Sequence, residues 1–441
     1  MPLTIHPDAR KRLHEALTKA LPTITVDNGM FIDRASSVLL LLGDIALPQK
    51  GRFREQLEEY IDEYPFANFV LDTLGEELWE RDQYQKDVTL KLTEIAGYQN
   101  ASELADRLLN QFATLPCKYQ VTIELPAALQ DILRPEQTTS EISPRIRFVR
   151  ATEEFNAKYP LDTGKSRRNN RLRGGALFLW DGMPPKWSEG HVHLQIECEG
   201  FIGQYGTSAT ATSCERLLRS IFGMGLACQL FDFKYQYSPG RVPISAFVHQ
   251  QSGVGEWMAT TKYELADRTS QVLGNLALHA LDGRVKPDEM PGWRAYQLKN
   301  ISAVCRAGSR ADPTILAGQW FFDSYGGDDS LLQFIQCMVV LEIILGDKST
   351  ANETGTGALI SNRFAYLVGQ THEERTSLIE AIKHIYQVRS KIVHSGKNHL
   401  TGEERILLQR LRWMCRRAID KEAELLRKGL QDSTVDAIQR P

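Results

Sequence analysis

The chain has 441 residues, 42% hydrophobic and 24% charged, with a net charge of −3. These values exclude a disordered tail and lead us to expect a soluble globular chain of two or three domains. Apolar runs such as Val38–Leu42 fall far short of the roughly 20 residues of a membrane span, and no basic segment followed by an apolar stretch opens the chain, so a cytoplasmic protein without membrane contact is expected.

The seven cysteines stand singly, with no C-x2-C pair, which suits reduced thiols better than a disulfide framework or a zinc knuckle. Charge is uneven: residues 371–441 hold 14 Lys and Arg against 10 Asp and Glu, a net of +4, and the remaining 38 against 45 give −7. A mildly basic end on an acidic body is compatible with phosphate contact, and equally with a solvated helix face.

Residues 1–115 read as helical, through "DARKRLHEALTKAL", "ASSVLLLLGDIAL", "REQLEEYIDEY" and "NASELADRLLNQF", the last opening on Asn100 or Ser102 as cap. From Tyr119 the period becomes two. "YQVTIEL", "RIRFVR", "ALFLW", "HVHLQIECEGF" and "LFDFKYQY" are strand-length pieces, and "SCERLLRSIFGMGL" is a helix to lie on their sheet, so 116–255 is expected to be an α+β domain, a sensor or substrate domain. Residues 256–317 are expected to form a helical connector.

Four helices follow in 318–441. "DDSLLQFIQCMVVLEIILGD" stops at Gly346, and "ALISNRFAYLVG" closes on Gly369. "THEERTSLIEAIKHIYQVRSKIVHSG" opens with the capping box of Thr371 and Glu374, with Leu378, Ile382, Ile385, Tyr386 and Arg389 on one face, and "RILLQRLRWMCRRAIDKEAELLRKGL" is last. The expected fold is therefore multidomain, mainly α with a central α+β part, ending in an antiparallel four-helix bundle.

Several motifs invite chemistry. "TGKS" at 163–166 lacks the first glycine of a phosphate loop, since position 159 is Tyr159. Lys165, Arg167, Arg168, Arg171 and Arg173 make a basic loop that is a nucleic-acid candidate or a solvated turn. His191 and His193 share one strand face, for metal binding, although no third ligand is identifiable, or simply as a polar strand face. Phe231, Phe233, Tyr235 and Tyr237 also share a face, for base stacking or for packing under a helix.

The run "YQVRSKIVHSG" is the most specific. At roughly 100° per residue, Arg389 and His394 lie about 140° apart on a helix, so one straight helix cannot aim both at one phosphate. Tyr386, Arg389, Ser390, Ile392, Val393 and His394, with Ser395 inserted before Gly396, resemble the closing helix of the Apea-like branch of the HEPN superfamily. Leu341-Glu342-Ile343 and the helix bearing Arg363 add to the likeness, which covers about residues 320–425.

The resemblance implies a four-helix HEPN bundle, a homodimer through that helix, and a composite endoribonuclease site that works without metal or cofactor. Arg389 and His394 would be catalytic, with Glu342, Ser390, Tyr386 and Lys391 in support. A neutral imidazole can take a proton from a ribose 2′-OH, and a guanidinium can hold the transferring phosphoryl group. Family likeness also implies a prokaryotic toxin of antiviral, antiphage defence, an abortive-infection effector with mRNA or tRNA as substrate and a phage-derived or protein trigger. The alternative is a non-catalytic HEPN module that dimerises and binds RNA or another ligand, with Arg389 paired to Glu342 and His394 complementing the helix dipole.

Overall fold

The computed structural model describes residues 3–33, 42, 51–81, 84–161, 186–203, 206–234, 243–280, 286, 288–346 and 355–439, with 431–439 described by backbone alone. The basic loop Lys165–Arg173, Tyr235, Tyr237, "ALFLW" and most of "ASSVLLLLGDIAL" fall outside these residues.

The N-terminal region keeps a core of its own. Helices α1 (Pro7–Ala20), α2 (Arg52–Tyr60), α3 (Pro65–Glu80) and α4 (Ala101–Ala113) bury Leu13, Leu17, Phe66, Val70 and Phe112 together. Asn100 is the cap of α4, its Oδ1 accepting from the Ser102 and Glu103 amides. The purely helical expectation for 1–115 is corrected by a small antiparallel sheet, β1 (Thr25–Asp27), β2 (Phe31–Ile32) and β3 (Thr89–Lys91). Its hairpin turns at Asn28 and Gly29, both left-handed at φ 54° and 74°, a conformation that Asn-Gly adopts at little cost.

The central sheet begins with β4 (Cys117–Glu124), β5 (Thr139–Ser143) and β6 (Ile146–Arg150). After helix α5 (Glu153–Lys158) come β7 (Val192–Gly200), helix α6 (Ala209–Ala227) and the short β8 (Phe231–Phe233). The hairpin of β9 (Ser245–Gln251) and β10 (Trp257–Glu264), helix α7 (Asp267–Gly274) and β11 (Leu276–Leu278) follow. The six-stranded order is β10-β9-β4-β7-β6-β5, with every neighbouring pair antiparallel, while β11 pairs with β8.

Strand β10 corrects the helical reading of 256–317. "WMATTKYE" carries two adjacent β-branched threonines and pairs along its length with β9, and a β-branched segment beside a partner strand is better satisfied in the ladder than in a helix.

The two faces of this sheet differ. Val121, Ile123, Phe148, Leu194, Ile196 and Val248 belong to the main core under α6. The register puts Gln120, Thr122, Arg147, His193, Gln195 and His249 on the opposite face. All of these except Arg147 are buried, beneath a small cluster of Phe155, Tyr159 and Trp187.

The remaining chain is helical: α8 (Met290–Arg306), α9 (Asp312–Asp323), α10 (Ser330–Leu345), α11 (Thr356–Val368), α12 (His372–His394) and α13 (Gly402–Gln439). Helices α6 and α9 approach backbone to backbone. A Cβ built on Gly223 would lie 1.8 Å from the Gly318 carbonyl oxygen, and one on Gly318 would lie 2.8 Å from that of Ser220. The boundary expected between 317 and 318 thus falls inside α9, because this glycine contact joins the sheet layer to the helices after it.

One buried core accordingly runs from Val121 on the sheet to Phe334, Ile385 and Leu411 in the last helices. Three arginines bolt the turn between α9 and α10. Arg219 of α6 donates to both Asp323 oxygens at 3.1 Å. Arg268 of α7 donates to the Asp323 and Gly326 carbonyls and to Gln336, and Arg412 of α13 donates to the Ser324 carbonyl and Gln333. Burial raises the Asp323 carboxyl above its ordinary value, with Arg219 opposing. No helix among the described residues is long and apolar enough to cross a membrane.

Candidate functional site

Helix α12 owes its start to the Thr371–Glu374 capping box. The Glu374 amide donates to Thr371 Oγ1 at 3.1 Å, and the Thr371 amide to Glu374 Oε2 at 3.2 Å. The Gln370 amide donates to the same carboxylate at 2.8 Å, and these amides hold the Glu374 carboxyl below its ordinary value. Leu378, Ala381, Ile382, Ile385 and Val388 are the buried face. Tyr386 and Arg389 flank that face half-buried, rather than lying in it.

Helices α10, α11 and α13 supply the rest of the packing, and Arg363 of α11 donates to the Leu345 carbonyl at the end of α10 at 3.0 Å. Gly346 closes α10 because there is no room for a side chain, since a Cβ there would lie 2.2 Å from the Glu342 carbonyl oxygen.

Between α10 and α12 the Tyr386 hydroxyl points at Glu342 Oε1, 3.5 Å away. That is the long edge of a hydrogen bond. Burial pushes the Tyr386 phenol well up, the Glu342 carboxylate adds to the rise, and the Arg389 cation counteracts it. The fold thus brings Glu342, Tyr386 and Arg389 into one electrostatic neighbourhood. Arg389 forms no hydrogen bond or ion pair within the described residues, so its donors are not spent on the bundle.

Ser390, Lys391 and His394 are exposed. His394 is the last residue of α12. The Ser395 amide closes the helix on the Lys391 carbonyl at 3.1 Å, and Gly396 then turns left-handed at φ 63°. The chain is tied down again by Lys397, whose Nζ lies 2.9 Å from Glu404, and Glu404 also accepts from the Thr401 amide. The helix end therefore fixes the backbone from which the exposed His394 imidazole projects. Val393 beside it is 50% exposed.

The other sequence candidates are dispersed. His191 lies just before β7, exposed, with Nδ1 2.7 Å from Glu124. His193 is fully buried, stacked on Phe155 and edge-on to Trp187, with neither ring nitrogen bonded. Phe231 is buried in the main core and Phe233 packs against it. The polar strand face expected at His191 and His193 is present, and what the sequence reading did not give is its burial: Gln120, Thr122, His193 and Gln195, at alternate positions in "YQVTIEL" and "HVHLQIE", lie under Phe155, Tyr159 and Trp187.

No family model, curated protein or solved structure matches the chain. The functional reading therefore rests on the residues and their arrangement.

Proposed function

We propose that the protein is a HEPN-type endoribonuclease that cuts RNA without a metal ion, at a site assembled from two copies of the last four helices. The observation that carries this reading is the end of α12. It offers a half-buried arginine with uncommitted donors within electrostatic reach of Tyr386 and, five residues on, an exposed imidazole at the helix terminus.

In the proposed reaction His394 takes the proton of a ribose 2′-OH. The freed oxygen attacks the adjacent phosphorus, the bond to the 5′-oxygen breaks as that oxygen takes a proton from water or from the imidazolium just formed, and the products are a 2′,3′-cyclic phosphate and a 5′-OH. Arg389 holds the phosphoryl oxygens as charge develops on them. Lys391 adds phosphate attraction and Ser390 a hydrogen-bond donor. Because Arg389 and His394 of one chain diverge around the helix, the pair that meets one phosphate is made across a two-fold axis. The biological setting we propose is prokaryotic defence by abortive infection.

The decisive experiment incubates purified protein with a defined RNA and with the same strand carrying a single 2′-deoxy position, in excess chelator. Cleavage that leaves a cyclic phosphate, fails at the deoxy position and vanishes in His394→Ala supports the reading. Cleavage that needs metal, or that survives in His394→Ala, overturns it. One observation favours a second reading, a non-catalytic interaction module: the Tyr386 hydroxyl and Glu342 Oε1 already face one another between α12 and α10 at 3.5 Å, a contact that serves helix packing without any substrate. In that case the purified protein cuts no RNA.

A further inference from the structure

We infer that the crevice between α8 and the segment from Asp131 to Glu141 binds a mononucleotide. The crevice has a volume of about 510 Å³ and is lined on one side by Pro291, Arg294, Leu298, Lys299 and Ser302. Pro291, Arg294, Leu298 and Ser302 recur every three or four residues, with Lys299 beside Leu298, so they form one face of α8. The facing wall carries Leu133, Arg134, Pro135 and Ser140.

Its charge is one-sided. Arg134, Arg294 and Lys299 line it with two carboxylates, Asp131 and Glu141. Glu141 is neutralised by Arg306, whose Nη2 lies 2.7 Å away, which leaves three cations against Asp131. Arg294 is held in place by donating Nη1 to the Asp131 carbonyl at 3.1 Å. An excess of two positive charges around a concave site suits a phosphate dianion better than a single carboxylate.

The rest of the lining sets the body of the ligand. Leu133 and Leu298 give an apolar floor, Pro135 and Pro291 add apolar ring surface, and Ser140 and Ser302 add hydroxyls. A flat, polar-edged body of nucleobase and ribose size matches that mixture, and the volume lies in the range of small-molecule sites.

The opposite side of α8 faces the last helix. Tyr296 stacks on Trp293 at 6.1 Å, and Arg427 of α13 lies 5.0 Å over the Tyr296 ring and donates to its hydroxyl at 3.2 Å. The binding inference does not rest on the ribonuclease reading.

The test is calorimetric titration of the full-length protein with AMP, GMP, CMP and UMP, and with adenosine and inorganic phosphate as controls. One nucleoside monophosphate is expected to bind with a stoichiometry of one, with adenosine and phosphate each weaker by roughly tenfold or more. Arg294→Glu with Lys299→Glu should abolish binding, and so should Ala295→Trp, which fills the crevice without altering charge. Both variants must keep the thermal midpoint of the parent. Failure of all four nucleotides to bind, equal binding of phosphate alone, or binding unchanged in both variants would overturn the inference.

Discussion

Two regions of this molecule each hold an arginine and a histidine, and they use them in opposite ways. On the buried face of the central sheet, Arg147 donates to Gln195 at 2.8 Å, to the Tyr159 hydroxyl at 2.9 Å and to Gln120 at 3.4 Å, and His193 is enclosed by Phe155 and Trp187. At the end of α12, Arg389 keeps its donors and His394 is in water. The first pair is consumed by the fold. The second is available to a substrate, and it is availability, not residue type, that marks a candidate for chemistry.

The widest separation between the regions is expected in activity. Arg389→Ala or His394→Ala should reduce RNA cleavage by roughly 10²–10⁴-fold with an unchanged thermal midpoint, measured by gel assay and calorimetry on the same preparations. A variant that loses stability along with activity would move α12 into the structural class and dissolve the contrast.

The next largest effect belongs to the sheet. Arg147→Ala strands the side chains of Gln195 and Gln120, both buried, and should cost about 3 kcal/mol of unfolding free energy. Urea titration would show it, and loss of that stability should precede any loss of cleavage.

His193 gives a pH test. Burial lowers its pKa from 6.5 to about 4, against the partial opposition of Glu124. The unfolded chain therefore binds the proton between pH 6.5 and 4 while the folded chain refuses it. The stability is fully present above about pH 6.5 and is lost as pH falls toward 4. By pH 5 the loss amounts to about 2 kcal/mol, and His193→Leu should remove that part of the slope in urea titrations at pH 7 and 5. A slope unchanged in the variant would show that His193 is not the buried neutral base of this comparison.

The smallest effect sharpens the site itself. Tyr386→Phe removes a hydroxyl at the long edge of bonding distance from Glu342, and should change stability by less than about 1 kcal/mol. If Tyr386 also orients Arg389, cleavage should fall more than stability does.

What could be read from the sequence follows from the range of the interactions. The Asn100 cap, the Thr371–Glu374 box and the buried stripe of α12 are set by residues three or four apart, and such spacings are visible in a string of letters. The β9–β10 hairpin was read wrongly past residue 255, because the residues of β10 gain their ladder only from a partner strand. The face of α8 that lines the crevice was missed because Arg294 and Arg134 are 160 positions apart, and nothing local announces that they share a site.

By itself, then, the sequence determined the order of the last helices, the start of α12 at its capping box, and that Arg389 and His394 fall near its terminus, since capping and helical periodicity are local. The last helix runs beyond the expected 405–430 at both ends, over Gly402–Gln439. Only the tertiary structure decided which cations are spent. Arg219, Arg268 and Arg412 are as basic in the sequence as Arg389, yet three helices converge to commit them to the turn after α9. The boundary expected at residue 318 fails for the same reason: Gly223 and Gly318 are separated by 95 positions, and only their packed backbones reveal that the sheet and the final helices share one core.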